Sequence, residues 1–202
     1  MNDEFSLVLL SDMLEELGEC ETKSILSGFS CPKNKDVENF LNKKAIMFSK
    51  QGVAQTHLIF CNKNGKQHFV GYFSLAIKSF NIGFKSLSYK MKRRLNRFVI
   101  YDKQTKGYRM SAVLIGQLGE NFSNNDNDLI TGDKLLEFAC QKVKEVQMIA
   151  GGKFVYLECE DKQCLKDFYS KNGFINFGKR WLDRDEKDEL SGDYLIEMIK
   201  YL

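Results

Sequence analysis

The segment from Ala112 to Ala139 carries the residues whose arrangement points most directly to chemistry. An apolar run that predicts a buried strand leads into a polar loop, and a helix begins at Gly132. The N–H groups of a helix N-terminus, reinforced by the helix dipole, bind anions such as a pyrophosphate. Any strand-to-helix junction of an α/β protein has this outline, so the pattern alone leaves the anion site open.

A second segment, residues 165–174, predicts a short helix with a tyrosine on its inward face. Leu165, Phe168 and Tyr169 have helical spacing, and Gly173 is placed to end the helix. A tyrosine in such a position usually packs as an aromatic side chain with its hydroxyl satisfied. The spacing by itself therefore gives Tyr169 no chemical role.

A third segment is strongly basic and is flanked by Tyr89 and Phe98. Its closely spaced cations include Lys92, Arg93, Arg94 and Arg97. Such a cluster either contacts a phosphate backbone or forms a solvated face. The formal charge of the whole chain, +3 from 30 basic and 27 acidic residues, favours the solvated face, whereas the clustering favours the phosphate contact.

Composition and cysteine usage limit the possible domain organisation and the possible class of protein. With 202 residues, 43% of them hydrophobic, the chain predicts one globular domain over 1–202, in which 1–27 is a first strand and helix or an appended segment. The six cysteines form no CxxC pair, and neither histidine lies at metal-ligand spacing, so we expect packed thiols and no metal site. An acidic N-terminus and the lack of an apolar run of ~20 residues predict a cytoplasmic protein without a membrane span.

Hydrophobic periodicity predicts alternating strands and helices. The apolar run 5–10 suits a strand or a helix start, and 85–109 has no regular pattern. The predicted elements are a helix from Asp36 to before Gly52, strands at 55–62 and 68–79 joined by an Asn64-Gly65 turn, a buried strand at 111–118, a helix from about 135 to 150, a strand at 154–159, a helix at 162–171, and strands at 174–182 and 194–202. This order predicts a mixed α/β fold with a central sheet of about six or seven strands, flanked by helices, and a βαβ unit near its centre.

Several of these segments together resemble the GNAT superfamily of acyl-CoA-dependent N-acetyltransferases. Phe168-Tyr169-x-x-x-Gly173-Phe174 is similar to the family signature F/L-Y-x-x-x-G-F. The stretch from Gly28-Phe29-Ser30-Cys31 through Val37-Glu38-Asn39-Phe40-Leu41 to Ala45 looks like the opening of the GNAT toxins of bacterial toxin–antitoxin pairs, and Val70-Gly71-Tyr72-Phe73-Ser74-Leu75 looks like their V-G-Y-Y-x-L strand. The resemblance covers roughly residues 28–200.

The cofactor loop departs from the family pattern Q/R-x-x-G-x-G/A. In the best register Asn127 stands for the Gln or Arg, Ile130 stands for the middle glycine, and Gly132 is retained. Main-chain N–H groups are the principal pyrophosphate donors, so the loop can still bind the ligand. Lys162 also replaces an asparagine that the family commonly has seven residues before the tyrosine.

The resemblance implies direct acetyl transfer from acetyl-CoA to an amine at a splayed βαβ site. It assigns Leu118, Gly119 and Glu120 to the pantetheine arm and a N–H near Leu118 to the thioester oxygen, where charge develops. It assigns Tyr169 as the general acid for the departing thiolate. It assigns to the pyrophosphate the loop residues Asn127, Asp128, Leu129, Ile130, Thr131, Gly132 and Asp133.

The sequence offers no convincing general base and leaves the acceptor open. Glu158 and Glu160 are candidates for the base, whereas His57 and His68 are expected to be structural or exposed. The toxin-like resemblance implies aminoacyl-tRNA as acceptor, an antitoxin protein as partner and a homodimer as a candidate assembly. The alternatives are acetylation of a small amine or a protein N-terminus, or a degenerate GNAT-fold binding module without catalysis.

Overall fold

A computed structural model describes residues 4–84, 87–123, 128–184, 186–187, 190 and 192–202. The strands are β1 (Glu4–Leu9), β2 (Gln55–Lys63), β3 (Lys66–Gly83), β4 (Tyr101–Asp102), β5 (Gly107–Glu120), β6 (Phe154–Glu160), β7 (Ile175–Trp181) and β8 (Tyr194–Tyr201). The helices are α1 (Leu10–Leu26), α2 (Lys35–Asn39), α3 (Ala45–Lys50), α4 (Tyr89–Leu95), α5 (Gly132–Ala150) and α6 (Gln163–Lys171), with a π-helical turn at Phe40–Lys44 between α2 and α3.

The strands form one sheet in the order β1-β2-β3-β5-β6-β8-β7, and β4 pairs with β5. The pairs β1–β2, β2–β3, β6–β8 and β7–β8 are antiparallel. Strands β5 and β6 are neighbours in this order and are connected through α5, as expected of the predicted βαβ unit. The mixed α/β class is therefore confirmed. The described residues form eight strands instead of six or seven, because the two-residue β4 had no pattern of its own.

By its internal contacts the chain divides into two compact units. The first unit comprises Met1–Ala76 and Ile115–Glu145, and the second comprises Ile77–Leu114 and Val146–Leu202. The prediction of a single domain over 1–202 stays a prediction. Residues 4–26 form a strand and a helix, and β1 pairs with β2 along its whole length, from Glu4 opposite Asn62 to Leu9 opposite His57.

The first unit is built on the predicted hairpin. Asn64 and Gly65 both have positive φ, 55° and 76°, which is the conformation that this dipeptide favours in tight hairpin turns. The core of the unit packs apolar side chains of β2, β3 and the N-terminal helices around the fully buried Leu58 and Tyr72. Helix α2 begins where the side chain of Asn34 accepts the N–H groups of Asp36 and Val37, an arrangement that satisfies helix N-terminal donors.

The second unit contains one element that the sequence pattern missed. Residues 89–95, predicted as irregular, form α4, so that prediction was wrong. The side chain of Ser88 accepts the N–H of Met91 and caps this helix, while Met91 and Leu95, four residues apart, are buried in the core of the unit. Four exposed or half-buried cations on the other faces hid this short apolar stripe.

Candidate active site and basic pocket

The end of β5 is packed tightly against the N-terminal segments of the first unit. Gly119 is buried, and a Cβ atom there would lie 3.2 Å from Phe29 Cζ and closer still to Val37 Cγ1. Only glycine fits at this position. Leu118 and Glu120 on either side are half-buried. Burial raises the pKa of Glu120, and the charge of Lys33 opposes that effect.

Asn121, which the sequence analysis did not single out, anchors the chain directly after β5. It is 1% exposed, and its side-chain amide donates to the carbonyls of Phe69, at 2.8 Å, and Gly28, at 3.3 Å. Its Oδ1 accepts the N–H groups of Ser30, at 3.0 Å, and Ser123, at 3.1 Å. These four bonds fix the start of the loop that leads to α5. In the sequence, the one signal for this role was the position of Asn121, a polar residue that directly follows an apolar strand.

The loop before α5 turns apolar side chains inward. Ile130, at the place of the usual middle glycine, is 5% exposed, and Leu129 is half-buried. Asp128 is exposed. Asn127 lies outside the described residues. Residue 130 therefore contributes a buried side chain to the first unit, whereas the family pattern has a glycine at this position of the loop.

Thr131 caps the N-terminus of α5. Its hydroxyl accepts the N–H of Lys134 at 3.2 Å, and its carbonyl accepts the N–H of Leu135 at 2.9 Å. This cap uses one of the first-turn donors, so fewer main-chain N–H groups are available to an anion than at an uncapped helix. Gly132 is half-buried, and Asp133, the acidic residue of the first turn, is exposed.

Tyr169 lies on α6 in the second unit and is half-buried. Its ring packs at 5.0 Å from Phe168 and 5.8 Å from Phe174, measured between centroids. Gly173, with φ of 83°, ends the helix as predicted. Burial, and secondarily the nearby Cys159, raises the pKa of Tyr169, so the phenol keeps its proton at neutral pH and can donate it.

The remaining titratable candidates are engaged in structural contacts. Glu160 is 8% exposed and pairs with Lys162 at 2.7 Å, and burial raises the pKa of Cys159 to about 11, which keeps it a thiol. Burial, followed by the charge of Lys142, lowers the pKa of His57 to about 4, and its ring stacks on Phe73. His57 is therefore a neutral, packed residue, in line with the structural role expected of it.

Glu158 is held by two cations. Arg180 donates to both of its carboxylate oxygens, at 2.9 and 2.8 Å, and Lys78 donates at 2.8 Å. Burial alone would raise the pKa of Glu158, but the hydrogen bonds from Arg180 and Lys78 outweigh burial and lower it. A carboxylate stabilised in its charged form is a weak proton acceptor, so Glu158 is a poor general base.

The basic segment forms a pocket on the surface of the second unit. The pocket has a volume of about 380 Å³ and is lined by Tyr89, Lys90, Arg93, Arg94 and Arg97. Lys92 instead places its ammonium 3.8 Å from the centre of the Phe84 ring. The structure thus brings together three of the four predicted basic residues with Lys90 of the same basic run and with Tyr89, which was predicted to flank it.

Across the described ranges, no group of three or more histidine, cysteine or acidic side chains is arranged to hold a metal ion. Four of the six cysteines, Cys31, Cys61, Cys140 and Cys159, are buried. No helix among the described residues is long and apolar enough to cross a membrane.

Comparison with known proteins defines the fold. The sequence matches no protein-family profile and no curated protein. Among solved structures it is similar to AtaT complexed with acetyl-methionyl-tRNAfMet, with a TM-score of 0.62 and 16% identity over 96% of this chain and 94% of that one. It is equally similar to a tyrosine-to-phenylalanine mutant of KacT, with a TM-score of 0.62 and 15% identity over 96% and 94%. AtaTR bound with acetyl-CoA gives a TM-score of 0.56 and 16% identity over 97% and 93%.

These matches place the chain in the GNAT fold class, as predicted. The particular structures that it resembles in this class are toxins of toxin–antitoxin systems. At identities of 14–17%, this similarity establishes the fold, but by itself it does not establish the functional role of any residue.

Proposed function

We propose that the protein is an acetyl-CoA-dependent N-acetyltransferase whose acceptor is the amino group of an aminoacyl-tRNA. The observation that carries the proposal is a protonated, half-buried Tyr169 at the signature position of a GNAT fold. Solved proteins of this fold are described with acetyl-CoA, with acetyl-methionyl-tRNA and with an antitoxin. We extend these ligand classes, and an antitoxin partner, to this chain as part of the proposal.

In the proposed reaction the amine nitrogen attacks the thioester carbonyl carbon, the C–N bond forms and the C–S bond breaks. The main chain from Leu118 to Glu120 is proposed to hold the pantetheine arm, with a N–H near Leu118 on the developing oxyanion. Tyr169 is proposed to give its proton to the departing thiolate, because its raised pKa keeps the phenol protonated until the C–S bond breaks. A cysteine nucleophile is not needed in this scheme, which suits the raised pKa of the Cys159 thiol.

The proposed pyrophosphate site is the loop from Asn127 to Asp133, with the first-turn N–H groups of Gly132 and Asp133 as its main donors. Buried Ile130 favours a loop held in one conformation, which suits main-chain recognition. The Lys134 N–H is used by the Thr131 cap. We therefore expect this loop to bind the pyrophosphate more weakly than the glycine-rich loop of a typical family member does. This same cap is the observation behind the second candidate function, a GNAT-fold binding module that no longer binds acetyl-CoA.

The proposed site for tRNA phosphates is the basic pocket of Lys90, Arg93, Arg94 and Arg97, with Tyr89 beside them. Tyr89 is 78% exposed, so its ring is accessible to a nucleobase. Cationic side chains neutralise phosphates and release counterions, and an exposed aromatic ring stacks on an unpaired base. Lys92 was predicted for this surface, and we keep it as a flanking contributor through its charge.

The test is an acetylation assay with labelled acetyl-CoA, offered charged bulk tRNA and, separately, a panel of small primary amines. The proposal expects label on the charged tRNA and none on deacylated tRNA, whose acceptor amine is missing. Label on small amines alone would favour the small-amine alternative. Calorimetry with acetyl-CoA separates the transferase from the binding module, since absence of binding at millimolar ligand would support the module.

A further inference from the structure

Glu120, the last residue of β5, has a carboxylate that the fold leaves without a direct partner. The residue is half-buried. Within the part of the chain that the structure describes, its carboxylate accepts no hydrogen bond and forms no ion pair, and only the more distant charge of Lys33 favours the ionised form. The Lys33 ammonium itself lies 4.5 Å from the centre of the Phe122 ring. Because burying a charge without a hydrogen bond is unfavourable, this carboxylate needs an explanation other than folding.

The Glu120 side chain is on the face of the sheet that α5 covers. Successive side chains of a strand point to opposite faces, and a Cβ atom at Gly119 would meet Val37 of α2. Glu120 therefore points away from α2. A Cβ atom at Gly71, on β3, would lie 3.5 Å from both Glu120 Cα and Leu135 Cδ1. Leu135 is the fourth residue of α5, so the first turn of this helix lies beside the end of β5.

This first turn of α5 is the proposed binding place of the pyrophosphate. The main chain of Glu120 belongs to the proposed site of the pantetheine arm, and its side chain lies on the face of the sheet where the pyrophosphate is proposed to bind. A carboxylate and a pyrophosphate repel each other, and burial reduces the screening of that repulsion by water and salt. The ionised form of Glu120 therefore opposes the binding of acetyl-CoA.

The N-terminal segment and β3 supply little charge to offset this repulsion. Burial raises the pKa of the Cys31 thiol, which is therefore uncharged. Burial also raises the pKa of Tyr72, and its hydroxyl donates to the carbonyl of Val37 on the face opposite to Glu120. Lys33 remains as the cation of this region, and its side chain is exposed.

Helix α5 and the loop before it do not offset the repulsion either. Asp128 and Asp133 are exposed acidic residues at the start of the helix. The ammonium of Lys134 pairs with Glu137 at 3.0 Å, so its charge is shared with a carboxylate of the same helix. The surroundings of the proposed pyrophosphate site thus contain more negative than positive groups, and Glu120 is the half-buried one among them.

We infer that Glu120 makes the binding of acetyl-CoA depend on proton uptake, because its carboxylate selects against the pyrophosphate and its protonated form does not. This inference rests on the proposed acetyl-CoA site. Burial, opposed by Lys33, raises the pKa of Glu120 in the free protein, and a bound pyrophosphate raises it further. A ligand that raises a pKa binds together with a proton from solvent, so the affinity for acetyl-CoA increases as the pH falls.

The test measures acetyl-CoA affinity by calorimetry for wild type and Glu120→Gln, from about pH 8 to about pH 5, a range that spans the titration of a raised glutamate. Glutamine keeps the shape of the protonated carboxyl and removes the charge. At the upper end we expect Glu120→Gln to bind about 3- to 10-fold more tightly, as removal of one like charge within a Debye length implies. The difference should shrink towards the lower end, where wild type itself takes up the proton. The 3′-phosphate of CoA titrates near about pH 6 with both proteins, so the ratio of their affinities isolates Glu120.

Two further measurements separate charge from shape. Glu120→Leu removes the charge without offering a hydrogen-bond donor, and it should share the gain in affinity. S-acetylpantetheine has the arm without the pyrophosphate, so it should compete equally well for wild type and Glu120→Gln. Glu145→Gln is the matched control, since it removes one charge about 18 Å along α5 from Asp133, at 1.5 Å per residue. Glu145 pairs with Lys142 at 2.7 Å, and its variant should keep the wild-type affinity.

Equal acetyl-CoA affinity of Glu120→Gln and wild type at about pH 8, where a glutamate is ionised, would overturn the inference. Weaker binding by the variant would also overturn it and would identify the carboxylate as an acceptor for an amide N–H of the arm. So would an equal gain with S-acetylpantetheine, because the pyrophosphate would then not be the cause. If none of the proteins binds acetyl-CoA at millimolar concentration, the proposed function fails together with the inference, whereas acetyl transfer by wild type with equal affinities overturns the inference alone.

Discussion

A methyl carbon of Val37 occupies the space in which a side chain at Gly119 would begin. The two residues are 82 positions apart in the chain, yet a Cβ atom at 119 would lie well inside 3.0 Å of Val37 Cγ1. The contact places the N-terminal helical segment directly against the strand end that is proposed to hold the pantetheine arm. Close packing of this kind makes the strand end rigid.

Gly119→Ala should therefore destabilise the protein by about 1–3 kcal/mol, the usual cost of overpacking a core. Urea unfolding followed by circular dichroism measures this difference. The matched comparison is Gly119→Ala in a Val37→Ala background, where the added methyl group has room and the extra cost should largely disappear. An equal cost in both backgrounds would show that Val37 is not the obstacle.

Tyr169→Phe should lower kcat for acetyl transfer by about 100-fold or more and leave acetyl-CoA affinity nearly unchanged, because the phenol acts only when the thiolate leaves. Steady-state kinetics and calorimetry measure the two quantities. Tyr201→Phe on β8 is the matched control and should retain activity. Wild-type turnover in the Tyr169 variant would remove the general-acid role.

Replacing Arg93, Arg94 and Arg97 together with glutamine should weaken binding of charged tRNA and reduce its salt dependence. Each lost phosphate contact lowers the slope of log K against log salt by roughly 0.7–0.9. Filter binding between low and moderate salt measures the slope, and Lys142, Lys144 and Lys153 changed together to glutamine provide a control with the same loss of charge. Equal slopes for the two triple variants would mean that the pocket residues form an ordinary solvated face.

His57 should make the protein less stable in acid. Its pKa is about 4 in the folded state, below the ordinary value of 6.5, so the unfolded chain binds a proton that the folded chain does not. The stabilisation that neutral His57 gives to the folded state is complete above pH 6.5. It is lost as the pH falls towards 4, at up to about 1.4 kcal/mol per pH unit. The free energy of unfolding of wild type should therefore drop through this window more steeply than that of His57→Phe. Parallel curves would contradict the assigned shift.

Features set by neighbouring residues in the chain could be predicted from the sequence. Asn64-Gly65 specified the β2–β3 hairpin, and Gly173 marked the end of α6, since both depend on backbone conformations that few residues adopt. The apolar spacing of Leu135, Leu136 and Ala139 likewise located α5. Helix α4 was missed because only two of its seven residues are buried, which is too short a stripe for a periodicity argument.

The polar clusters could not be predicted, because their members are distant in the chain. Lys78, Glu158 and Arg180 come from three strands, and no spacing in the sequence relates them before the order of these strands in the sheet is known. The same holds for Asn121, whose partners Gly28 and Phe69 lie 93 and 52 positions away. Long-range partners decide which polar residues of a strand serve chemistry and which serve packing.

The pairing of β1 with β2 has a practical consequence for shortened forms of the protein. Residues Glu4–Leu9 satisfy one side of β2, so a truncation that begins at Gly28 would leave that strand with unpaired N–H and C=O groups beside a newly exposed apolar surface. Such an edge recruits strands from other molecules. A minimal version cut to the recognisable family motifs would be expected to aggregate, and preparations for binding or kinetic work need the initial strand intact.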